Sequence, residues 1–231
     1  MYRLCVIGDP VAHSRSPAIH TALLRQRGLE GVYETVTVRP EELAGFVKRA
    51  RAGDYDGFNV TMPHKQTILP LLDAVAEDAA AMGAVNTVVV RQGRATGYNT
   101  DGPGFVATLP EGAADKRVLV LGSGGAASAV SRAVVNAGGR VTVCCRHPEK
   151  TEGWGVTARL WRELPQLAAE CDVLVNATPL GMTGQETFDG FAFLDGCRGL
   201  VYDLVYQPQE TALLAAARQR ELPVIGGLAL L

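Results

Sequence analysis

Lys65 stands out by its type. The chain carries 22 basic side chains, of which 18 are arginine and only Lys48, Lys65, Lys116 and Lys150 are lysine. Arginine stays protonated in a protein, whereas a lysine can be tuned to give and take a proton. Lys65 closes the run Gly57-Phe58-Asn59-Val60-Thr61-Met62-Pro63-His64-Lys65, just after Pro63 breaks a strand. The carboxyl ends of strands are where ligands gather in open α/β sheets. In the same run Asn59 and Thr61 are two residues apart, so they share one face of the strand. Upstream, Ser14-Arg15-Ser16-Pro17 sets two hydroxyls just before a helix start. That place suits a carboxylate, because N–H groups, hydroxyls and the helix dipole all favour an anion. Simple capping by Ser16 explains the same residues, and both readings stand at this point.

A second set of residues suits a phosphate-bearing ligand. The apolar run Arg117–Leu121 leads straight into Gly122-Ser123-Gly124-Gly125-Ala126-Ala127, then a helix to Asn136 and a strand Arg140–Cys145. Strand, glycine loop, helix and strand in about 30 residues is the context that gives a glycine fingerprint meaning. Gly122 permits the tight turn, Gly124 lets the backbone approach a pyrophosphate, and Ala127 allows close helix–strand packing. The helix start then offers free N–H groups and a positive dipole end. An NAD site would want Asp or Glu about 20 residues after the first glycine. Here Arg146 stands 24 residues after Gly122, with Lys150 beyond it. Both are cations where a 2′-phosphate would lie, and the arginine fork is the better phosphate ligand. Glu149 argues the other way but is displaced from the strand end. The expected cofactor is NADP rather than NAD.

The elements that must position these groups alternate between short apolar runs and helical stretches, the pattern of an α/β fold with parallel strands. Strands are expected at Arg3–Gly8, Val32–Val38 and Gly57–Met62. A hairpin is expected from Asn86–Arg91 and Arg94–Tyr98 around Gln92-Gly93. Helices are expected from Ser16, as N-cap, to the stop at Gly28, over Pro40–Ala52, and in the alanine-rich stretch ending at Gly83. After Asp101-Gly102-Pro103-Gly104 a second unit follows, with further buried strands at Asp172–Ala177 and Leu200–Val205 and a helix Gln209–Arg220. The expected boundary lies near residue 102: an N-terminal α/β substrate-binding domain (1–102) and a C-terminal Rossmann-like NADP-binding domain (103–231).

Composition excludes several alternatives. Twenty-two basic against 24 acidic side chains leave a net charge of −2, which disfavours a nucleic-acid partner. No run of about 18 apolar residues marks a membrane span, and the start is too short an apolar run for a signal peptide. Five cysteines, odd in number and without C-x-x-C, read as reduced, mostly strand-buried thiols of a cytoplasmic protein. His13, His20, His64 and His147 lack metal-ligand spacing, so no metal is expected. Trp154 and Trp161 are expected to pack rather than react.

Several of these motifs together resemble the shikimate dehydrogenase family. Val6-Ile7-Gly8-Asp9-Pro10-Val11-Ala12-His13-Ser14-Arg15-Ser16-Pro17 is similar to its opening motif. Asn59–Lys65, Gly83-Ala84-Val85-Asn86-Thr87, Asn99-Thr100-Asp101-Gly102, Gly122–Ala127, Asn176-Ala177-Thr178-Pro179-Leu180-Gly181-Met182 and Tyr202-Asp203-Leu204-Val205-Tyr206 continue the match in order. The resemblance implies reversible reduction of 3-dehydroshikimate to shikimate with NADPH. It implies that Ser14 and Ser16 bind the substrate carboxylate, and that Asn59, Thr61, Asn86, Asp101 and Tyr206 line the hydroxyl-bearing ring. Lys65 would be the proton donor and acceptor, paired with Asp101. Glu77, Thr178, Leu204 and Gly227 would serve the cofactor beside Gly122, Ser123, Gly124, Gly125, Ala126, Arg146 and Lys150. A cation and a proton at the reacting oxygen are what hydride delivery to a ketone requires.

Two departures accompany the resemblance. The segment between Lys150 and Cys171 looks shortened, so that one helix of the nucleotide domain is expected to be lost or replaced by loop. The family's last helix and its substrate-binding glutamine would fall beyond Leu231, and a homodimer is expected to cover the face left open. Two other readings remain: a quinate/shikimate dehydrogenase preferring NAD, against which Arg146 argues, and a truncated ligand-binding homologue with weak turnover.

Overall fold

The structure, a computed structural model, describes residues 1–230. The chain divides into two units, Met1–Thr100 and Asp101–Leu231. Among the described residues no helix is long and apolar enough to cross a membrane.

The first unit runs β1 (Tyr2–Gly8), α1 (Ser16–Gln26), β2 (Gly31–Thr37), α2 (Leu43–Arg49), β3 (Gly57–Val60), α3 (His64–Thr67), β4 (Ala74–Val75), α4 (Glu77–Met82), β5 (Thr87–Arg91) and β6 (Arg94–Tyr98). Its six strands lie in the order β2-β1-β3-β5-β6-β4. β1, β2 and β3 are parallel, β5 runs against β3, β6 runs against β5, and β4 is parallel to β6. One edge of the sheet therefore gathers the carboxyl ends of five strands and the amino end of β5. Cys5, Ile7, Phe46, Phe58, Ile68 and Val88 form the core beneath, with Phe46 edge-on to Phe58 at 5.1 Å. The hairpin turns at Gln92 (φ 51°) and Gly93 (φ 74°), the two positive φ values that a tight two-residue hairpin needs.

The second unit runs α5 (Asp101–Thr108), β7 (Arg117–Leu121), α6 (Gly125–Asn136), β8 (Arg140–Cys145), β9 (Thr157–Leu160), α7 (Leu164–Glu170), β10 (Val173–Asn176), β11 (Leu200–Asp203), α8 (Ala212–Arg218) and β12 (Val224–Gly226). All six strands are parallel, in the order β12-β11-β10-β7-β8-β9. Strand order reverses between β7 and β10, which makes their carboxyl ends the topological switch point of a doubly wound sheet.

The structure refines the sequence reading in three places. After Lys150 one helix is replaced by loop, as expected: only the single 3₁₀ turn Pro148–Thr151 lies between β8 and the edge strand β9, and α7 follows β9. Strand β9 was hidden because Thr157 and Arg159 face outward and only four residues pair. Ser16 is not the N-cap of α1. Arg15 holds that position without a side-chain bond, and the Ser14 hydroxyl accepts the Ser16 N–H at 3.2 Å. Asp101-Gly102-Pro103-Gly104, after which the second unit was expected to follow, forms the first turn of α5, where a proline costs no intrahelical hydrogen bond.

One buried polar group ties the second sheet together. Asp203, at the end of β11, has no solvent exposure. Its carboxylate accepts from the Asn176 amide at 2.9 Å, the Thr211 hydroxyl at 2.6 Å and the Val205 N–H at 3.0 Å. Thr211 in turn caps α8 by accepting the Leu214 N–H. Burial pushes the Asp203 carboxyl above the ordinary range and outweighs the donors that pull it down. Its folded pKa therefore exceeds the unfolded one. What the group adds to stability is full below the unfolded value and diminishes as pH rises through the folded value.

We expect Asp203→Ala to strand three buried donors and to cost about 3–5 kcal/mol. Asp203→Asn should cost less, because its oxygen retains two donors. Both tryptophans, Trp154 and Trp161, lie in this unit, so urea unfolding followed by their fluorescence reads it directly. A loss under about 1 kcal/mol for the alanine variant would show that the carboxylate ties nothing together.

Candidate functional site

In the first unit the expected ligand residues gather at the shared sheet edge. Asn59, next to last in β3, is in register with Thr87 at the start of β5. Thr61 follows β3, and its N–H still pairs with the Ile7 carbonyl at 2.9 Å. Asn86 precedes β5, while Ser14 and Ser16 sit at the entrance to α1, which follows β1. Lys65 lies in the first turn of the short helix α3. Its placement comes from both sides: Val85 donates its N–H to the Lys65 carbonyl at 2.8 Å, and His64 is fully buried with Nε2 2.6 Å from the Val38 carbonyl. A proline break followed by one anchored turn thus holds Lys65 at the edge.

The polar groups here are largely committed to one another. The Asn86 side-chain oxygen accepts from the Thr100 N–H and the Thr87 hydroxyl, each at 2.9 Å, and its amide donates to the Thr100 hydroxyl at 2.9 Å. The Asn59 amide donates to the Asn86 carbonyl at 3.2 Å and to the Thr87 hydroxyl at 3.0 Å. Tyr33, which the sequence reading did not single out, donates its phenol to Asn59 Oδ1 at 2.6 Å. The only sequence signal for it was an inward position in an alternating strand. Buried Asn99 was quoted only as part of a motif, and it fixes the turn by donating to the Ala84 carbonyl. Glu77 opens α4 at the same edge but beyond β4, three strands from β3. It is thus separated from the Lys65 group, and it falls in the first unit whereas the other expected cofactor residues fall in the second.

In the second unit the glycine loop lies at the switch point. Gly122 has φ 106°, and a Cβ there would fall 2.9 Å from Thr178 and 3.3 Å from the Ala177 carbonyl. Glycine is thus required for the β7 and β10 ends to meet, and Gly122 and Thr178 are brought together. Asn176 holds Thr178 by accepting its hydroxyl at 2.6 Å and its N–H at 3.0 Å. Gly124 is different: a Cβ there would meet nothing within 4 Å. It faces open space at the start of α6, over Ser123, Gly125 and Ala126. Arg146 and Lys150 are exposed past the end of β8, with no acidic partner among the described residues. Glu149, the acid between the two in sequence, lies 3.2 Å from the His147 ring instead. Leu204 and Tyr206 follow β11, and Gly227 packs so closely on the Leu204 carbonyl that a side chain there would collide with it. Asp101 opens α5.

A family model for the shikimate dehydrogenase substrate-binding domain matches residues 6–88. The NADP(+) shikimate dehydrogenase of Methylocella silvestris is 41% identical over 240 aligned positions, which cover 99% of this chain and 86% of that protein. The chain belongs to the shikimate dehydrogenase family. Two solved structures add the fold. Shikimate 5-dehydrogenase of Thermus thermophilus, in complex with NADP(H) and shikimate, superposes with TM-score 0.91 at 40% identity, covering 100% of this chain and 88% of that one. The 5-ketofructose reductase of a Gluconobacter species superposes with TM-score 0.85 at 30% identity, covering 99% of this chain and 88% of that one. The shikimate dehydrogenase fold thus also occurs in a protein named for a keto sugar.

The two glycines should respond differently to substitution. Gly122→Ala forces a side chain into a positive-φ position against Thr178, and we expect a cost of about 1–3 kcal/mol in stability along with weakened dinucleotide binding. Gly124→Ala should leave stability within about 1 kcal/mol of the parent yet weaken the dinucleotide, because only a ligand's phosphates need that space. Thermal unfolding beside NADPH titration of the two variants reads both quantities. An unweakened Gly124→Ala would remove that glycine from the binding surface.

Proposed function

We propose that this chain is an NADP-dependent oxidoreductase that interconverts 3-dehydroshikimate and shikimate. Most of the substrate groups lie in the first unit and most of the dinucleotide groups in the second. The observation that carries the reading is the gathering of Ser14, Ser16, Asn59, Thr61, Lys65 and Asn86 at one sheet edge, in a family whose curated members bear this activity.

The residues fit the dinucleotide on three counts: an open Gly124, N–H groups at the start of α6, and Arg146 without an acidic partner among the described residues. Gly122, Ser123, Gly124, Gly125 and Ala126 would hold the pyrophosphate, Arg146 and Lys150 the 2′-phosphate, and Thr178, Leu204, Gly227 and Glu77 the rest of the dinucleotide. When bound, the nicotinamide supplies the hydride or takes it up. Ser14 and Ser16 hold the substrate carboxylate through hydroxyl donors. Asn59, Thr61, Asn86 and Tyr206 orient the ring hydroxyls. Lys65 gives the proton to the carbonyl oxygen as it becomes a hydroxyl, and takes it back in the reverse direction. Asp101 is the second catalytic residue.

Lys65→Ala should lower kcat by about 10²–10⁴-fold with little change in shikimate binding. Steady-state absorbance of NADPH together with equilibrium binding checks it, and a kcat within a few-fold of the parent would take Lys65 out of the chemistry. Arg146→Ala should weaken NADPH by about 10–150-fold, roughly 1.5–3 kcal/mol of charge-assisted contact, and NADH hardly at all. Equal losses for the two dinucleotides would make Arg146 a surface residue only. Running shikimate, quinate and 5-ketofructose side by side tests the substrate.

A further inference from the structure

We propose that Tyr202 is a positioning residue for Asp101: its ring and hydroxyl hold the face of helix α5 that carries the carboxylate. The inference rests on the reading above, in which Asp101 is the second catalytic residue. It starts from where Asp101 is mounted. Asp101 is the first residue of α5 and belongs to the second unit, whereas Lys65 belongs to the first. What aims the helix is therefore to be found in the second unit.

At about 3.6 residues per turn, positions 101, 105 and 108 fall within about 60° of arc, so Asp101, Phe105 and Thr108 share one stripe of α5. Tyr202 of β11 takes hold of the other two members of that stripe. Its ring lies 4.9 Å from the Phe105 ring, with planes 55° apart, and both residues are without solvent exposure. Its hydroxyl lies 3.0 Å from the Thr108 hydroxyl. The direction of that bond follows from the next one. Thr108 gives its single proton to the Phe105 carbonyl at 2.7 Å, a group that can only accept. Tyr202 is thus the donor and Thr108 the acceptor. Burial pushes the phenol pKa up, so that proton is present through the neutral range.

Ring packing alone leaves a short helix free to roll or slide on the sheet, because apolar contact has no direction. The hydroxyl removes that freedom, since a hydrogen bond demands both a distance and an angle. It sets the rotation of α5 and its level along β11 together, and Asp101 follows on the same stripe. The strand end is itself tied: Asp203, the next residue, holds Asn176 and Thr211. Leu204, expected at the cofactor, comes directly after. Tyr202 accordingly refers Asp101 to the strand that presents Leu204. A misplacement of about 1 Å at a reacting centre costs about 10²-fold in rate, so one bond two turns away is enough to be felt.

Tyr202→Phe removes the hydroxyl and keeps the ring. The expected result is a kcat lowered about threefold to tenfold, one hydrogen bond's worth, with shikimate and NADPH affinities within twofold of the parent. In an Asp101→Ala background the same change should leave kcat within twofold, because Tyr202 then has nothing to aim. Thr108→Val should repeat the loss and Thr108→Ser should retain the parental kcat, and this pair reads the bond even where Tyr202→Phe does not fold. A kcat within twofold of the parent for both Tyr202→Phe and Thr108→Val overturns the proposal. So does an equal loss with and without Asp101, or a parallel fall in NADPH affinity, either of which marks a purely structural role. An Asp101→Ala variant with the parental kcat, or a parent that does not oxidise shikimate, fails instead at the functional reading and takes the proposal with it. Measuring the parent and Asp101→Ala first tells the two failures apart.

Discussion

The Asp203 carboxylate, without exposure to water, holds the carboxyl ends of β10 and β11 in register. Ligand sites of doubly wound sheets lie at such ends, so the groups there must be aimed without being covered. Asp203 does this by taking up donors that would otherwise point into the core. It pins Asn176, which pins Thr178, which meets Gly122 across the switch point. On the other side it holds Thr211 and so the start of α8. Carboxylate burial is costly, and three donors within 3.0 Å make it tolerable. The cost is visible as the raised pKa of the acid, and what it secures is a fixed Thr178.

The first unit meets the same demand with neutral groups. Asn86 draws the turn before β5 and the end of β6 together by bonding Thr87 and Thr100. Asn59 and Tyr33 carry that order across the sheet to β2, where the Tyr33 ring stacks on His20 of α1. No charge is buried, so the acceptors and donors can be matched one for one without displacing a pKa beyond the ordinary burial of a phenol. Both units therefore share a layering: inner polar groups such as Asp203 and Asn86 satisfy their neighbours and fix the residues beside them.

That layering decides how much could be read from the residues alone. Lys65, Arg146 and the glycine loop were legible because each breaks a local expectation: a lysine among arginines, a cation in place of an acid, three glycines between a strand and a helix. The parallel strands were legible from continuous apolar runs such as Arg117–Leu121 and Leu200–Asp203. Edge strands β4, β9 and β12 were not, since two to four residues are too few to show a period. The loss of a helix between β8 and β9 was legible from the shortened segment after Lys150, though the segment did not show that β9 and α7 share what remains. The roles of Tyr33 and Asp203 were invisible for a different reason. Each is defined by partners 26 and 27 residues away, and spacing of that kind has no local signature.

Both expected ligands are anions, and the chain has a net charge of −2. Long-range attraction therefore does not draw them in, and at physiological salt it would die away within about 8 Å in any case. Recognition has to be made by contact. The two units do this with different chemistry because the two anions differ. A carboxylate on a small ring needs short, directional donors, and on the proposed reading the Ser14 and Ser16 hydroxyls would provide them. A pyrophosphate spreads its charge over many oxygens, and main-chain N–H groups at a helix start match that spread. The 2′-phosphate is the remaining case, a compact dianion at the surface, where a water-exposed ion pair alone is worth little. Only a planar fork that meets two oxygens at once keeps its selectivity there. This is a physical reason for an arginine past the end of β8, and for that arginine to be left without an acidic partner by a Glu149 that turns to His147 instead.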